Sequence, residues 1–328
     1  MKLWRVHELG DPADVLRLED GEPPEPGPGE VRVRVDACGL NFPDILLCQG
    51  KYQEKPPLPF TPGMEVAGTI VGLGGDLDLA VGDRVVGAPP IGHGGLAEET
   101  VLTRVQALPL PDSVSSDDAA ASFITYQTAY VGLHRRAGLR EGETLLVHAG
   151  AGGVGSAAIQ IGKAAGAMVV ATAGGPERTQ ICRDLGADIA IDYSAGDLVA
   201  QVKEATNGWG AHVIWDPVGG DVFDASTKCI AYDGRLIVVG FAGGRIPTVN
   251  AGHVLVKSYS VVGLHWGLMI RRQPEVLTEA HEALMDLFSD GVVQPLIDSA
   301  VPMADVPAAL DRLANRKVTG KVVVHPGE

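Results

Sequence analysis

The sequence is short of positive charge: 26 Lys and Arg stand against 41 Asp and Glu in 328 residues, a formal net charge of −15 at pH 7. Nucleic acid and anionic membranes both demand a basic face, so neither is expected as a partner. No apolar run reaches membrane-spanning length. The opening MKLWRVHELGDPADVL lacks the apolar stretch of a secretory signal. Cysteine is scarce: Cys38, Cys48, Cys182 and Cys229 are scattered, with no C-x-x-C. That excludes a disulfide framework and points to reduced thiols in a cytoplasmic protein. None of the nine His residues has H-x-x-x-H spacing, so no common zinc pattern is present. What remains is a chain with 45% hydrophobic residues, globular and long enough for two domains.

The most informative stretch is Thr144–Ala167, TLLVHAGAGGVGSAAIQIGKAAGA. Leu145–His148 reads as a buried strand, and the residues from Ser156 on are small and apolar at helical spacing. Between them, Gly150-Ala151-Gly152-Gly153-Val154-Gly155 forms G-x-G-x-x-G in its strand–turn–helix context. Gly150 serves the tight turn, Gly152 lets a pyrophosphate approach bare backbone, and Gly155 lets helix pack on strand. The helix start then offers unpaired N–H groups and a positive dipole end to phosphate.

Residues 1 to about 120 are rich in Gly, Pro and short β-like runs. Glu30–Ala37 (EVRVRVDA) alternates as a half-buried strand does, and Val66–Val71 and Asp83–Val86 are further candidates. Gly39–Gly63 reads as a long loop. Asp117–Leu133 is Ala-rich and helical. From Leu145 to Val239 strands and helices alternate, which builds a parallel sheet covered on both faces. Right-handed crossovers make it a doubly wound nucleotide fold. Ser258–Gly263 is its candidate last strand. Helices over Pro274–Asp290 and Met303–Asn315 follow, and Lys321–His325 is a strand returned to the first domain.

The strand after the glycine turn, Met168–Thr172, is followed by AGGPER. An NAD site places a carboxylate at that tip, whereas a 2′-phosphate needs room and a cation. The tip has Gly174 and, shortly after, Arg178, so NADPH is favoured, with Arg178 and Tyr193 around the phosphate. Glu177, turned inward to the ribose, is the alternative. Lys317 and Lys321 read as solvent charges, with a reach from the terminal strand to the pyrophosphate as the alternative. No acidic or basic neighbour in sequence lowers the Cys48 pKa, so it is assigned no catalytic role.

The segments GLNFPDILLCQGKY, LPFTPGMEVAG, VGDRVVG, TYQTAY, AGAGGVG and DPVGG together resemble the zinc-free medium-chain dehydrogenase/reductases, in particular the NADPH:quinone oxidoreductases or zeta-crystallin-like proteins. The likeness runs from Met1 to the terminal GKVVV. It implies an α/β fold: a Rossmann NADPH domain over 122–265 and a mainly β, GroES-like catalytic domain over 1–121 and 266–328. Where zinc alcohol dehydrogenases of that superfamily carry a Cys and a His, this chain has Asn41 and Met64, poor zinc donors, so no metal is expected. Without a Lewis acid the chemistry moves from alcohol oxidation to reduction of an activated π-system.

The resemblance further implies Asn41 and Asp44 beside the nicotinamide, and Thr125 on its pyrophosphate side. It places Phe241, Ala242 and Gly243 after the fifth strand, on the nicotinamide side. Tyr52 is the first candidate donor to a developing oxyanion; Tyr126 and His265 are alternatives, and His265 is also placed among the cofactor residues. Asn41 as a turn cap and Tyr52 as a packed loop aromatic remain the plainer readings. The expected substrate is a quinone or enone. An enoyl or acrylyl thioester reductase, wanting a basic strip such as Arg135-Arg136 or Arg271-Arg272, is one alternative. A nucleotide-binding structural protein of crystallin kind is the other. Relatives pair through the edge strand of the nucleotide domain, here Val254–Gly263, so a homodimer is expected.

Overall fold

The computed structural model describes residues 1–327. They form two compact units, one of Met1–Ile124 with the chain from Gln294, the other of Thr125–Val293. The first unit begins with an antiparallel pair, β1 (Lys2–Val6) and β2 (Leu16–Asp20), joined through the one-turn helix α1 (Pro12–Val15). β3 (Glu30–Gly39), α2 (Phe42–Cys48), β4 (Val66–Leu73), β5 (Arg84–Gly87), β6 (Glu99–Thr103), β7 (Leu108–Pro109) and α3 (Ser116–Tyr130) follow. In β3 the alternation has its physical outcome: Val31, Val33, Val35 and Ala37 are buried and Arg34 is exposed.

In the second unit come β8 (Thr144–Val147), α4 (Gly153–Ala164), β9 (Met168–Ala173), α5 (Pro176–Asp184), β10 (Ile189–Asp192), α6 (Leu198–Ala205), β11 (Ala211–Asp216), α7 (Gly220–Cys229), β12 (Ile230–Val238), α8 (Ala251–Lys257), β13 (Ser260–Gly263), α9 (Trp266–Arg272) and α10 (Glu275–Ser289). Its six strands are parallel in the order β10-β9-β8-β11-β12-β13. That is the doubly wound order, which reverses between β8 and β11 and places ligands at the carboxyl ends of the strands there. β8 is buried at every residue, as a central parallel strand must be. The chain then returns to the first unit through β14 (Ile297–Pro302), α11 (Val306–Ala314) and β15 (Lys321–His325). There the sheet reads β14-β15-β3-β4-β5-β7, with β6 also on β3.

Three expectations are corrected. The expected boundary at 265/266 lies at 293/294, because α10 buries Val276, Leu277, Ala280 and Leu284 in the second unit's core, among them beside Val131 and Leu133. The expected edge strand Val254–Gly263 is half helix. Asn250 caps α8 by accepting from His253 N at 3.1 Å, and the left-handed Ser258 (φ 50°) ends it, so the strand is only Ser260–Gly263. The expected loop Gly39–Gly63 contains α2, started by Asn41 with a proline in its first turn.

The first unit is closed by contacts between its two sequence-distant parts: buried Trp4 donates from Nε1 to the Met303 carbonyl at 2.8 Å. Trp4→Phe keeps the ring and leaves that buried carbonyl without its donor. Stability should fall by about 1–2 kcal/mol, read as a lower denaturant midpoint at unchanged slope.

Candidate active site

Each unit carries a set of the residues singled out in the sequence. In the second, α4 begins at Gly153 and its first intrahelical bond runs from Ser156 N to Gly152 O at 2.8 Å. The N–H groups of Gly153, Val154 and Gly155 therefore lie ahead of the helical ladder, where an anion is met. A Cβ at Gly155 would lie 2.1 Å from Ala149 O, so the turn closes only on glycine. A Cβ at Gly152 would meet a single atom within 4 Å, Ala149 O at 3.3 Å, and otherwise open space. Bare backbone facing open space is the cradle that a pyrophosphate fits. Ala149 before it is left-handed (φ 52°), a strained conformation for a non-glycine residue.

The turn is tied to its neighbours. Gly150 N donates to Thr172 O at 2.9 Å. The adjoining His148, 1% exposed, reaches Thr172 Oγ1 at 3.0 Å through Nδ1 and Ser226 Oγ at 2.8 Å through Nε2. Ser226 Oγ lies 2.8 Å from Val222 O, an acceptor only, so the serine donates there and His148 Nε2–H donates to the serine. Burial lowers the imidazole pKa to about 4, which keeps it neutral in that role. This latch joins the tips of β8 and β9 to α7. The sequence showed His148 only as a strand residue.

At the end of β9, Gly174 lies under Tyr193: a Cβ there would sit 2.8 Å from the tyrosine hydroxyl. Gly175 N donates to Asp192 Oδ1 at 2.9 Å, and the same oxygen takes Ser194 N and Oγ. The Ser194 hydroxyl, then the two backbone donors, hold that carboxyl below its usual range. Arg178 stands in the first turn of α5, partly exposed. Gly174 and Tyr193 are thus brought together, and Asp192, which pins their loop, was missed. Its signal was an acid followed by Tyr-Ser at a strand end, an Asx turn.

After β12, Ala242 N donates to Pro217 O at 3.0 Å and Gly243 N to Val218 O at 2.8 Å. Phe241 packs over Gly219, whose Cβ would fall 2.9 Å from its ring. Asp216 holds the facing turn through Val218 N and Gly219 N. Two candidates take other work. Tyr126 is buried, with its hydroxyl accepting from Gln160 Nε2 at 2.7 Å. His265 is exposed and caps α9, Nδ1 accepting from Leu268 N at 3.0 Å. Thr125 is buried in α3.

In the first unit, Asn41, Asp44, Glu65 and Lys321 form one buried cluster. Lys321, expected as a solvent charge, is 5% exposed. Its three ammonium hydrogens reach Leu40 O at 2.7 Å, Asn41 Oδ1 at 2.7 Å and Glu65 Oε1 at 2.6 Å. Asn41 Nδ2 donates to Glu65 Oε1 at 2.7 Å and Gly39 O at 3.1 Å, and Glu65 Oε2 accepts from Ile124 N at 2.7 Å. Gly39 makes room, since a Cβ there would lie 2.7 Å from Glu65 Oε1 and 2.2 Å from Ala120 O. Asp44, with no exposed surface, spends one oxygen on Asn41 N at 2.8 Å and the other on Gly63 N at 2.9 Å. Tyr52 follows α2 and is half-buried against the unit's core. Burial, and after it the Asp44 charge, lifts the Cys48 thiol to about 12.

The cluster also tests for metal. An ammonium 2.7 Å from Asn41 Oδ1 repels a second cation at that oxygen, and the other position is the thioether of Met64. These residues do not fit zinc.

The family model described as alcohol dehydrogenase GroES-like domain matches residues 27–112, and that described as zinc-binding dehydrogenase matches 153–286. A quinone oxidoreductase-like protein 2 homolog of Nematostella vectensis is 43% identical over 97% of this chain and 87% of its own. A quinone oxidoreductase of Pseudomonas aeruginosa is 36% identical over 95% and 96%. The solved structure of the Escherichia coli quinone oxidoreductase complexed with NADPH aligns over 99% and 100% of the two chains, at a TM-score of 0.93 and 32% identity.

Burial is the largest influence on Asp44 and raises its carboxyl from 3.8 to about 6, against the backbone donors and Lys321, which lower it. The folded chain therefore binds a proton at pH values where the unfolded chain has lost it. The stability from this group is full below about pH 4, falls as pH rises to about 6 and is then flat, a span on the order of 3 kcal/mol. Asp44→Asn should remove that slope: its unfolding free energy relative to the parent should rise across pH 4 to 6. Parallel curves for the two proteins would show that Asp44 does not titrate in this range.

Proposed function

The chain belongs to the zinc-free medium-chain dehydrogenase/reductases, within the quinone oxidoreductase family, and from that premise we propose that it is an NADPH-dependent reductase of quinones or other α,β-unsaturated carbonyls. NADPH supplies a hydride to an electrophilic carbon of the acceptor, and solvent supplies the proton that completes the reduction. The protein's part is to hold, orient and supply hydrogen-bond donors.

The pyrophosphate is assigned to the N–H groups of Gly153, Val154 and Gly155 over the bare backbone of Gly150 and Gly152. The 2′-phosphate is assigned to Gly174, Arg178 and the Tyr193 hydroxyl. Phe241, Ala242 and Gly243, held by Pro217 and Val218, are assigned to the nicotinamide side, as Thr125 is to the pyrophosphate side. Asn41 is assigned to the nicotinamide, and Asp44, wholly spent on backbone N–H groups, to holding Asn41 in place. Tyr52 is the candidate donor to the oxygen that gains charge in the acceptor.

One observation carries the choice of chemistry: where a metal-dependent relative would polarise an alcohol, this chain sets the Lys321 ammonium against Asn41. The acceptor must then be electrophilic of itself. Of the paired arginines that a thioester would want, Arg135 and Arg136 bond Gln273 Oε1 and the Gly263 carbonyl, while Arg271 and Arg272 stand in the last turn of α9. No helix among the described residues is long and apolar enough to cross a membrane. A cytoplasmic homodimer remains our reading, its interface at the β13 edge, where Leu255 and Val256 of α8 are exposed. A monomer mass in solution would count against it.

The experiment is NADPH or NADH oxidation with 1,4-benzoquinone and a small enone, for the parent and Arg178→Ala. Turnover with NADPH should exceed that with NADH, and the substitution should raise the KM for NADPH by about 10- to 100-fold while leaving NADH unchanged. Equal effects on both cofactors would remove Arg178 from the phosphate, and no turnover with any acceptor would remove the reductase reading.

A further inference from the structure

Lys321 lies in the terminal strand of the first unit, 280 residues from Asn41 and 256 from Glu65. Its ammonium has three hydrogens and three acceptors, each within 2.7 Å. The hydrogen count has a consequence for Asn41. A lysine only donates, so the amide oxygen must face it; a carboxylate only accepts, so the amide nitrogen must face Glu65. Both Nδ2 hydrogens are then spent, on Glu65 Oε1 and Gly39 O. Asp44 N, the capping-box neighbour of the Asn41 side chain, gives its hydrogen to the Asn41 main-chain oxygen at 3.0 Å, so Asn41, a residue 8% exposed, retains a second lone pair on Oδ1.

We propose that Lys321 is a positioning residue of the reductase: paired with Glu65, it locks the Asn41 carboxamide so that it meets a bound ligand only as a hydrogen-bond acceptor. This rests on the reductase reading. The ligand group it selects must bring a hydrogen, and the dinucleotide offers such groups in its ribose hydroxyls and its carboxamide NH2. The oxygen of a carbonyl acceptor, which gains negative charge, is refused by the same lone pair. Asn41 is thus assigned to cofactor orientation, and the charge that develops on the acceptor falls to a hydroxyl donor.

Removing the ammonium alone strands a buried carboxylate, and Lys321→Met is expected to fold poorly for that reason. The informative variant is the double substitution Glu65→Gln with Lys321→Met, which removes both members of the ion pair together and leaves Asp44 its two backbone donors. A glutamine at 65 keeps an acceptor for Ile124 N and puts an amide against Asn41, so the Asn41 carboxamide is free to turn over. With its melting temperature within a few degrees of the parent, this variant should bind NADPH at least tenfold more weakly by fluorescence titration. The change should appear in KM for NADPH more than in kcat. In the parent, the Asn41 side-chain amide protons should exchange slowly with solvent by NMR; in the double variant they should exchange fast.

A folded double variant with parental NADPH affinity would make Lys321 a purely structural residue and overturn the proposal. Fast exchange in the parent would overturn it too, without any cofactor. If the parent itself bound no NADPH the reductase reading would fall, and the exchange experiment would still decide whether Lys321 locks the carboxamide.

Discussion

A buried ammonium with all three hydrogens engaged organises the first unit. Two charges taken out of water are costly, and their attraction makes good that cost only when every remaining lone pair and hydrogen is met. Lys321 and Glu65 satisfy that condition through groups drawn from Leu40, Asn41 and Ile124. The pair therefore joins β3, the start of α2, the residue before β4, helix α3 and β15. Losing one partner of such a pair costs about 3–5 kcal/mol, so these segments hold one another in register. Asp44 continues the network by fixing the backbone of Asn41 and Gly63. The polar residues are hydrogen-bonded to one another, and those bonds fix their directions.

The second unit uses neutral groups for the same end. Its strand order brings the tips of β8 and β9 side by side, and Gly150 N is bonded across to Thr172 O. His148 adds a directional chain from Thr172 to Ser226 and on to Val222, carried by a neutral imidazole. A charged histidine there would put a positive charge into a core with no carboxylate beside it, and burial alone accounts for its lowered pKa. The glycine turn is thus rigid although its residues are small. The backbone it presents is fixed by neighbours that touch no phosphate.

Much of this was legible because it is local. The valine–arginine alternation of β3 and the strand–turn–helix at Gly150 are patterns within ten residues, and their elements lie where they were read. Lys321 was not legible: it looks like any lysine flanking a valine run, and its partners lie more than 250 residues away. The misread edge strand shows the other limit. Val254, Leu255 and Val256 have the β-branched, apolar look of a strand, but Asn250 as cap and Ser258 as stop make them helix. The cap signal was present in the sequence; the wider bounds came with the pairing edge that the resemblance implies, whereas the residues themselves read as strand only over Ser258–Gly263. In the same way Asn41, Pro43 and Asp44 spell a helix start inside what reads as a loop.

A chain of this ancestry without good zinc donors does not leave a bare gap. A thiolate and an imidazole around zinc form a charged, coordinated centre; an amide and a thioether form a neutral one that binds no metal well. Glu65, buried beside them, needs a compensating charge. Lys321 supplies that charge from β15 with its hydrogens fully engaged, so it has no N–H left to donate to a substrate oxygen. A positive charge is present, but its reach is spent inside the cluster. Polarising an alcohol needs that reach, whereas accepting a hydride at an electron-poor carbon needs only a well-held donor and a group to meet the resulting oxygen. The charge balance of the cluster and the chemistry proposed for it are therefore consistent with each other.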